Sequence, residues 1–247
     1  MKKGSILAFA LALTLGCTPV SAATTMAMRG KVTFPKTEIT ENPTWMDFNF
    51  GVSPFRSVRS KKNMKMSATL YLEKKLLAEG NVLGIGVFSN FRTADQHYTL
   101  NSPQEFFLVN DGGTIKVGSY YHYNDRISKV IPVGTTCTVK ERKKYYVVKL
   151  KNVPLNNFYR DQDGKKELDT KTEFSVQPQV QIHVGNNVST IQKKVTGYVY
   201  VDDFKLVAAS TVTVDFDNIK ASWTGIHNAW ANSEGKSIKQ EVVTLKY

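Results

Sequence analysis

The chain has 247 residues, 41% of them hydrophobic and 22% charged, with a formal net charge of +12 and a mean hydropathy of -0.29. These values exclude a disordered, fibrous or membrane-embedded chain and leave enough length to bury a sizeable core. Sixteen glycines and eight prolines exclude collagen-like and low-complexity readings.

The first predicted element is a secretory signal over residues 1–22. Lys2 and Lys3 make a basic start, residues 6–13 form an apolar run too short to span a bilayer, and Val20, Ser21 and Ala22 supply small residues for cleavage after Ala22. No other stretch reaches transmembrane length, so the expected location is secreted, periplasmic or at the cell surface. Leu15, Gly16 and Cys17 also resemble a lipoprotein processing site, with Thr14 where an aliphatic residue is usual. A lipid anchor at Cys17 therefore stands as the alternative to a soluble secreted chain. If Cys17 leaves with the signal, Cys137 is the sole thiol and no disulfide can form within the chain. The alternation around Cys137 makes it a small buried apolar group rather than a nucleophile.

The rest of the chain is patterned as strands. Residues 66–72 alternate, and residues 81–88 are an apolar run broken by Gly84 and Gly86. Residues 105–109 and 114–123 flank Asn110, Asp111, Gly112 and Gly113, a strong hairpin signal. Residues 136–140 and 145–151 form a second predicted pair around the charged turn Glu141, Arg142, Lys143 and Lys144. Residues 176–184 place Val176, Pro178, Val180, Ile182 and Val184 on one face and Gln177, Gln179, Gln181 and His183 on the other. Pro178 cannot donate to a ladder, which predicts an edge strand or a strand start. Residues 196–207 make a further strand, and no helical period persists over a useful length. Many short strands joined by turns predict an all-β fold, a β-sandwich or jelly roll of two antiparallel sheets. This domain is expected over residues 23–208. Residues 209–247, with two more strands at 212–216 and 238–247, either complete the sandwich or form a small appendage.

Familiar catalytic motifs are missing: there is no His-Glu-x-x-His, Gly-x-Ser-x-Gly, phosphate-cradling glycine loop or Cys-x-x-Cys. The four histidines, His97, His122, His183 and His227, are far apart and their spacing gives no metal motif. A hydrolase built on two carboxylates needs no short motif and stays open.

The run from Gly197 through Tyr198, Val199, Tyr200, Val201, Asp202, Asp203, Phe204, Lys205 and Leu206 resembles the closing strand of non-catalytic carbohydrate-binding modules of the β-jelly-roll type, found attached to bacterial cellulases and mannanases. Residues 179–185 resemble the penultimate strand, and the resemblance covers roughly residues 45–207. It implies a sugar-binding face in which aromatic rings meet a pyranose and polar side chains bind its hydroxyls. The candidates are Tyr121, Tyr123, His97, Gln181 and His183, drawn from clusters that also hold Tyr120, His122, Phe91, Gln96, Tyr98 and Gln179. The resemblance further implies a structural calcium ion, with Asp202 and Asp203 as the acidic pair and Asp47 joining from an early strand. The expected partner is a polysaccharide or surface glycan, with a polysaccharide-degrading enzyme as a possible companion and no specific nucleic acid.

Positive charge concentrates in Arg56, Arg59, Lys61, Lys62 and Lys65, and again in Arg142, Lys143 and Lys144, which folding could merge with Lys193 and Lys194. Such a field favours an anionic glycan. A weaker resemblance, to jelly-roll alginate lyases, rests on Arg56 and Arg59 around Ser57 and Val58, on Gln181, Ile182 and His183, and on Tyr198 and Tyr200. It implies β-elimination on a uronate, with Arg and Gln neutralising the carboxylate and His or Tyr moving protons. The acidic residue usual between the arginines is absent, and Val199 and Val201 stand where the lyase pattern carries Lys and Gly. A structural surface or sheath subunit is the third class.

Overall fold

In β-structure, alternate residues face opposite ways, so a chain of half-apolar strands closes two sheets over one core. The computed structural model describes residues 22–37, 44–52, 56–59, 65–92, 98–100, 105–120, 137–154, 159–162, 165–168, 173–185, 190–207, 211–213, 215–228 and 236–247. Its strands are β1 (Thr24–Phe34), β2 (Thr44–Val52), β3 (Arg56–Arg59), β4 (Lys65–Glu73), β5 (Val82–Arg92), β6 (Tyr98–Leu100), β7 (Glu105–Asp111), β8 (Thr114–Tyr120) and β9 (Cys137–Glu141). They continue as β10 (Tyr145–Pro154), β11 (Tyr159–Gln162), β12 (Lys165–Leu168), β13 (Glu173–Gly185), β14 (Val195–Val207), β15 (Thr211–Thr213), β16 (Ile219–Asn228), β17 (Lys236–Ser237) and β18 (Gln240–Lys246). Two short 3-10 turns, Lys74–Leu77 and Phe216–Asn218, interrupt them. No helix among the described residues is long and apolar enough to cross a membrane.

One sheet has seven strands, in the order β18-β1-β14-β4-β10-β9 with β15 on β14. The other has nine, in the order β17-β16-β2-β13-β5-β7-β8 with β3 on β13 and β6 on β5, while β11 and β12 pair with each other. The central order β1-β14-β4-β10 faces β2-β13-β5-β7. The first strand thus lies beside the last, the second beside the last but one, and the chain crosses between the layers as it folds. That is a jelly roll. Beyond it, β16 pairs with β2 and β18 with β1, so residues past 209 add a strand to the edge of each sheet.

Two hairpins follow the sequence closely. The β7–β8 turn is Gly112 and Gly113, at φ 58° and 84°. Both need the left-handed region, which glycine enters without a Cβ clash. The Asn110 side chain accepts from Gly113 N–H at 3.0 Å. The β9–β10 turn is closed by Arg142 N–H on Tyr145 O at 2.8 Å. Pro178 departs from expectation. It lies inside β13, a strand flanked on both sides, opposite Ser89 of β5. On the other flank β3 pairs only as far as Val176 and β2 starts at Gln179, so the proline sits at the gap between two partners. A missing N–H is tolerated there for the reason it is tolerated at an edge.

The inner faces make one core from Phe34, Phe48, Phe50, Leu70, Leu72, Phe106, Ile182, Val199, Val201 and Phe204. Packing is tight across the layers: a Cβ on Gly30 of β1 would lie 2.6 Å from Phe48 Cζ of β2. Cys137 is buried in this core, and burial pushes its thiol up to about 12. One end of the sandwich is closed by the turn Lys74–Leu77, whose Leu76 and Leu77 are fully buried. Asn81 Nδ2 donates to Leu76 O at 3.2 Å and Asn110 Nδ2 to Leu77 O at 2.8 Å. These bonds satisfy carbonyls that the short turn leaves free.

Candidate functional site

Two outer faces remain once the core is closed, and they differ in chemistry. On β13, Val180, Ile182 and Val184 are fully buried inward, which puts Gln179 and Gln181 on the outer face of the nine-stranded sheet. Register sets Asn49 of β2 beside Gln181 and Gly51 beside Gln179. Ser222 of β16 follows beside Asn49, and on the opposite flank of β13 Gly86 of β5 lies beside Gln181. The result is a row of Ser222, Asn49, Gln181 and Gly86 across four strands, at steps of about 4.8 Å. Amides both donate and accept, as sugar hydroxyls do. Glycine within a strand marks a place where a ligand or backbone can come close. Asn49 and Gln179 are only 6% and 8% exposed, and Asn49 Oδ1 is buried with no hydrogen-bond partner.

The outer face of the seven-stranded sheet carries tyrosines. Tyr71 of β4, Tyr200 of β14, Ala27, Val147 and Leu245 form a second buried cluster, with Tyr145, Tyr198 and Tyr247 packed around it. Tyr71 and Tyr247 have ring centroids 4.7 Å apart at 56°, and Tyr145 meets Tyr200 edge-on at 5.6 Å and 83°. Arg29 lies 4.8 Å above the Tyr198 ring and donates from Nε to Glu241 at 3.1 Å. Burial, then the neighbouring Tyr145, pushes the Tyr200 phenol up to about 12, and burial and Tyr247 raise Tyr71 too. Tyr71 and Tyr200, 3% and 5% exposed, are spent on packing, and the half-buried Tyr145, Tyr198 and Tyr247 tilt against them rather than forming a flat platform for a sugar.

No family model, curated protein or solved structure matches this chain.

Of the sequence-predicted ligand residues, Gln181 lies half-buried in the amide row, and His183 occupies the β13 position opposite Asp47 and Gly84. Tyr121, Tyr123 and His97 fall outside the described residues, as do residues 1–21 with Cys17. Arg56 and Arg59 are in β3, opposite Val176 and Glu173 of β13. The nearer pairs about 17 Å along β13 from Gln181. Tyr198 and Tyr200 belong to the other sheet, facing outward on the far side of the core. A lyase centre that joins Gln181 to either tyrosine cannot form, because the layers alone stand about 10 Å apart. Asn49 is the residue the sequence reading missed. Alternation in Met46, Asp47, Phe48, Asn49 and Phe50 carried the signal that it faces out.

The acidic trio is also divided. Asp47 is in the nine-stranded sheet, whereas Asp202 and Asp203 are in β14 of the seven-stranded one. Asp202 Oδ2 accepts from Thr25 Oγ1 at 2.5 Å and its Oδ1 from Asp203 N–H at 2.7 Å. Asp203 pairs with Lys205 Nζ at 2.8 Å, at a bulge where its φ is 56°. Both line a recess of about 430 Å³ with Phe204, Asp215, Phe216, Asp217 and Val242. Among the described residues, no three His, Cys, Asp or Glu side chains gather closely enough to hold a metal ion. The predicted set does not fit calcium: one member is on the wrong sheet and the others are engaged by protein donors.

Proposed function

We propose that this protein is a secreted, non-catalytic glycan-binding protein that lays a polysaccharide or surface glycan across the amide row of the nine-stranded sheet. The observation that carries the reading is the unmatched acceptor of Asn49, buried beside Gln181 and next to glycine-lined backbone. A buried acceptor without a donor costs about 1–3 kcal/mol. Gln181, half-buried, offers its amide to a sugar hydroxyl, and the Asn49 acceptor beside it gains a donor once the ligand displaces the groups that cover it. Binding rests on amides set in line across this face. A polysaccharide-degrading enzyme acting on the same polymer is the natural companion of such a binder.

Affinity gel electrophoresis of the mature chain in neutral and uronate polysaccharides tests the proposal. Retardation by at least one glycan, lost on Gln181→Ala, is expected. Free mobility in every gel would overturn it. Ultraviolet absorbance from an unsaturated uronate on adding alginate or a related polymer would instead establish elimination, and a flat trace is expected.

A further inference from the structure

We infer that the end of the sandwich closed by the turn Lys74–Leu77 is a second binding surface, for a polyanionic polysaccharide. Three segments meet there. Lys74 N–H donates to Lys144 O at 3.1 Å, which lays the turn against the β9–β10 hairpin. On the other flank, Gly197 at the start of β14 packs on Lys75, since a Cβ there would lie 2.9 Å from Lys75 Cε. Gln192 N–H donates to Asn81 Oδ1 at 2.9 Å, which holds the segment of Lys193 and Lys194 to the same end. Because β10, β4 and β14 are neighbours in the sheet, the two lysine pairs stand about two strand spacings, roughly 10 Å, apart across it and are further offset along the strands.

The charges at this end do not balance. Glu141 pairs with Lys74, and Glu73 pairs with Lys75 at 3.0 Å while accepting Tyr198 N–H at 2.9 Å. Both carboxylates are thereby used. Lys143, Lys144, Lys193 and Lys194 are exposed. Arg142 has a buried Nε with no acceptor. Glu79 and Asp111 lie toward the β7–β8 hairpin, which Gly80 N–H joins at Asn110 O at 3.0 Å. A single exposed ion pair contributes only about 0–1 kcal/mol, so one small anion would be held weakly. A polymer with a charge on every unit engages the lysines together and sums those terms. The described residues of this end carry no exposed aromatic ring on which a base could stack, which disfavours single-stranded nucleic acid. The choice of a polysaccharide among polyanions rests on the glycan reading above, but the surface is distinct from the amide row.

The test compares the wild type, a variant with Lys143→Glu, Lys144→Glu, Lys193→Glu and Lys194→Glu, the same four as Gln, and Asn49→Leu/Gln181→Ala. The probes are polygalacturonate, a sulfated polysaccharide, a neutral glucan, anionic phospholipid vesicles and a DNA duplex. Wild-type retention on the polyanionic polysaccharides should fall at least tenfold between about 50 and 300 mM salt, as screening requires. The charge-reversed variant should lose that retention, the Gln variant most of it, and the amide variant should keep it. Undiminished binding by both lysine variants, or binding indifferent to salt, would overturn the inference. So would equal or tighter binding to the vesicles or the duplex. Loss confined to the amide variant would defeat this end as a site while sparing the amide face, and undiminished retention of the amide variant on the neutral glucan would defeat the amide face alone.

Discussion

Asn49→Leu separates stability from binding, and its outcome can be worked from the structure. Leucine nearly reproduces the shape of asparagine, so the substitution removes the polar atoms without opening a cavity. In the protein, Asn49 is 6% exposed and its Oδ1 has no partner. Removing an unsatisfied buried acceptor relieves about 1–3 kcal/mol, and an apolar side chain suits a strand flanked by β13 and β16. Against this stands the loss of the side-chain amide dipole and of its NH2 donor. A net gain of about 1 kcal/mol remains, worth roughly 2–4 °C in melting temperature for a chain of this size. Gln181→Ala, at a half-buried position, should change stability by no more than about 0.5 kcal/mol. Urea denaturation gives the stability, and affinity electrophoresis on the same samples gives the binding. The expected result is that the two variants lose retardation together while only Asn49→Leu becomes more stable. A loss of stability of 1 kcal/mol or more in Asn49→Leu would mean that Oδ1 is satisfied in the free protein. It would then not be held open for a ligand, and the argument for this face would fail.

Gly30→Ala should cost about 1–3 kcal/mol in denaturant unfolding, because the added methyl meets the Phe48 ring at 2.6 Å; a change below about 0.5 kcal/mol would show that the ring can yield. Alkali should weaken the fold: with the Cys137 thiol and the Tyr200 phenol each pushed up to about 12 by burial, the unfolded chain sheds these protons first. Stability is therefore full below about pH 9 and falls as pH rises toward 12, which thermal melts from pH 8 to 11 would show; a flat profile would refute it. In the same range Cys137 should resist alkylation until urea exposes it.

Strand alternation made much of this fold legible. The run at residues 66–72 became β4, and the Gly112-Gly113 turn fell where a two-residue hairpin demands positive φ. β1 is different. Its outer residue Ala27 is as buried as its inner residue Phe34, and Arg29 is covered by Tyr198. From Met28 to Phe34 apolar and polar residues nevertheless alternate cleanly, so the strand that opens the jelly roll was legible in the sequence and breaks the pattern only at Ala27. The site shows the same division between local and distant information. Gln179 and Gln181 announce an outward polar face by themselves, but nothing in the sequence says that Asn49 stands beside Gln181, since β2 and β13 meet only through the fold. The tyrosines of β14 make the converse case. Alternation gives Tyr198 and Tyr200 a shared face, yet only the topology reveals that this face looks away from Gln181.

The placement of the two proposed contacts has a consequence for ligand length. From Gln181 to its end at Gly185, β13 spans about 14 Å. The chain beyond it returns at Thr190 to the end that holds Lys193 and Lys194, where Thr190 N–H donates to Val82 O at 3.1 Å. A polymer that leaves the amide row at Gln181 and turns along β13 therefore heads toward the basic end. A short oligosaccharide reaches only one contact, whereas an anionic polymer reaches both, and the second engagement becomes intramolecular. Linkage of this kind raises avidity by about 10²–10⁴ without any new contact. Binding to acidic oligomers of increasing length should consequently rise in a step at the length that bridges the two sites, measured by calorimetry at low salt. Neutral oligomers should show only a shallow rise. The charge-reversed lysine variant should convert the step into that shallow rise, while Asn49→Leu/Gln181→Ala should remove the rise on neutral oligomers and leave the salt-sensitive binding of acidic ones. A smooth, identical length dependence for acidic and neutral series would show that the two surfaces do not act on one ligand.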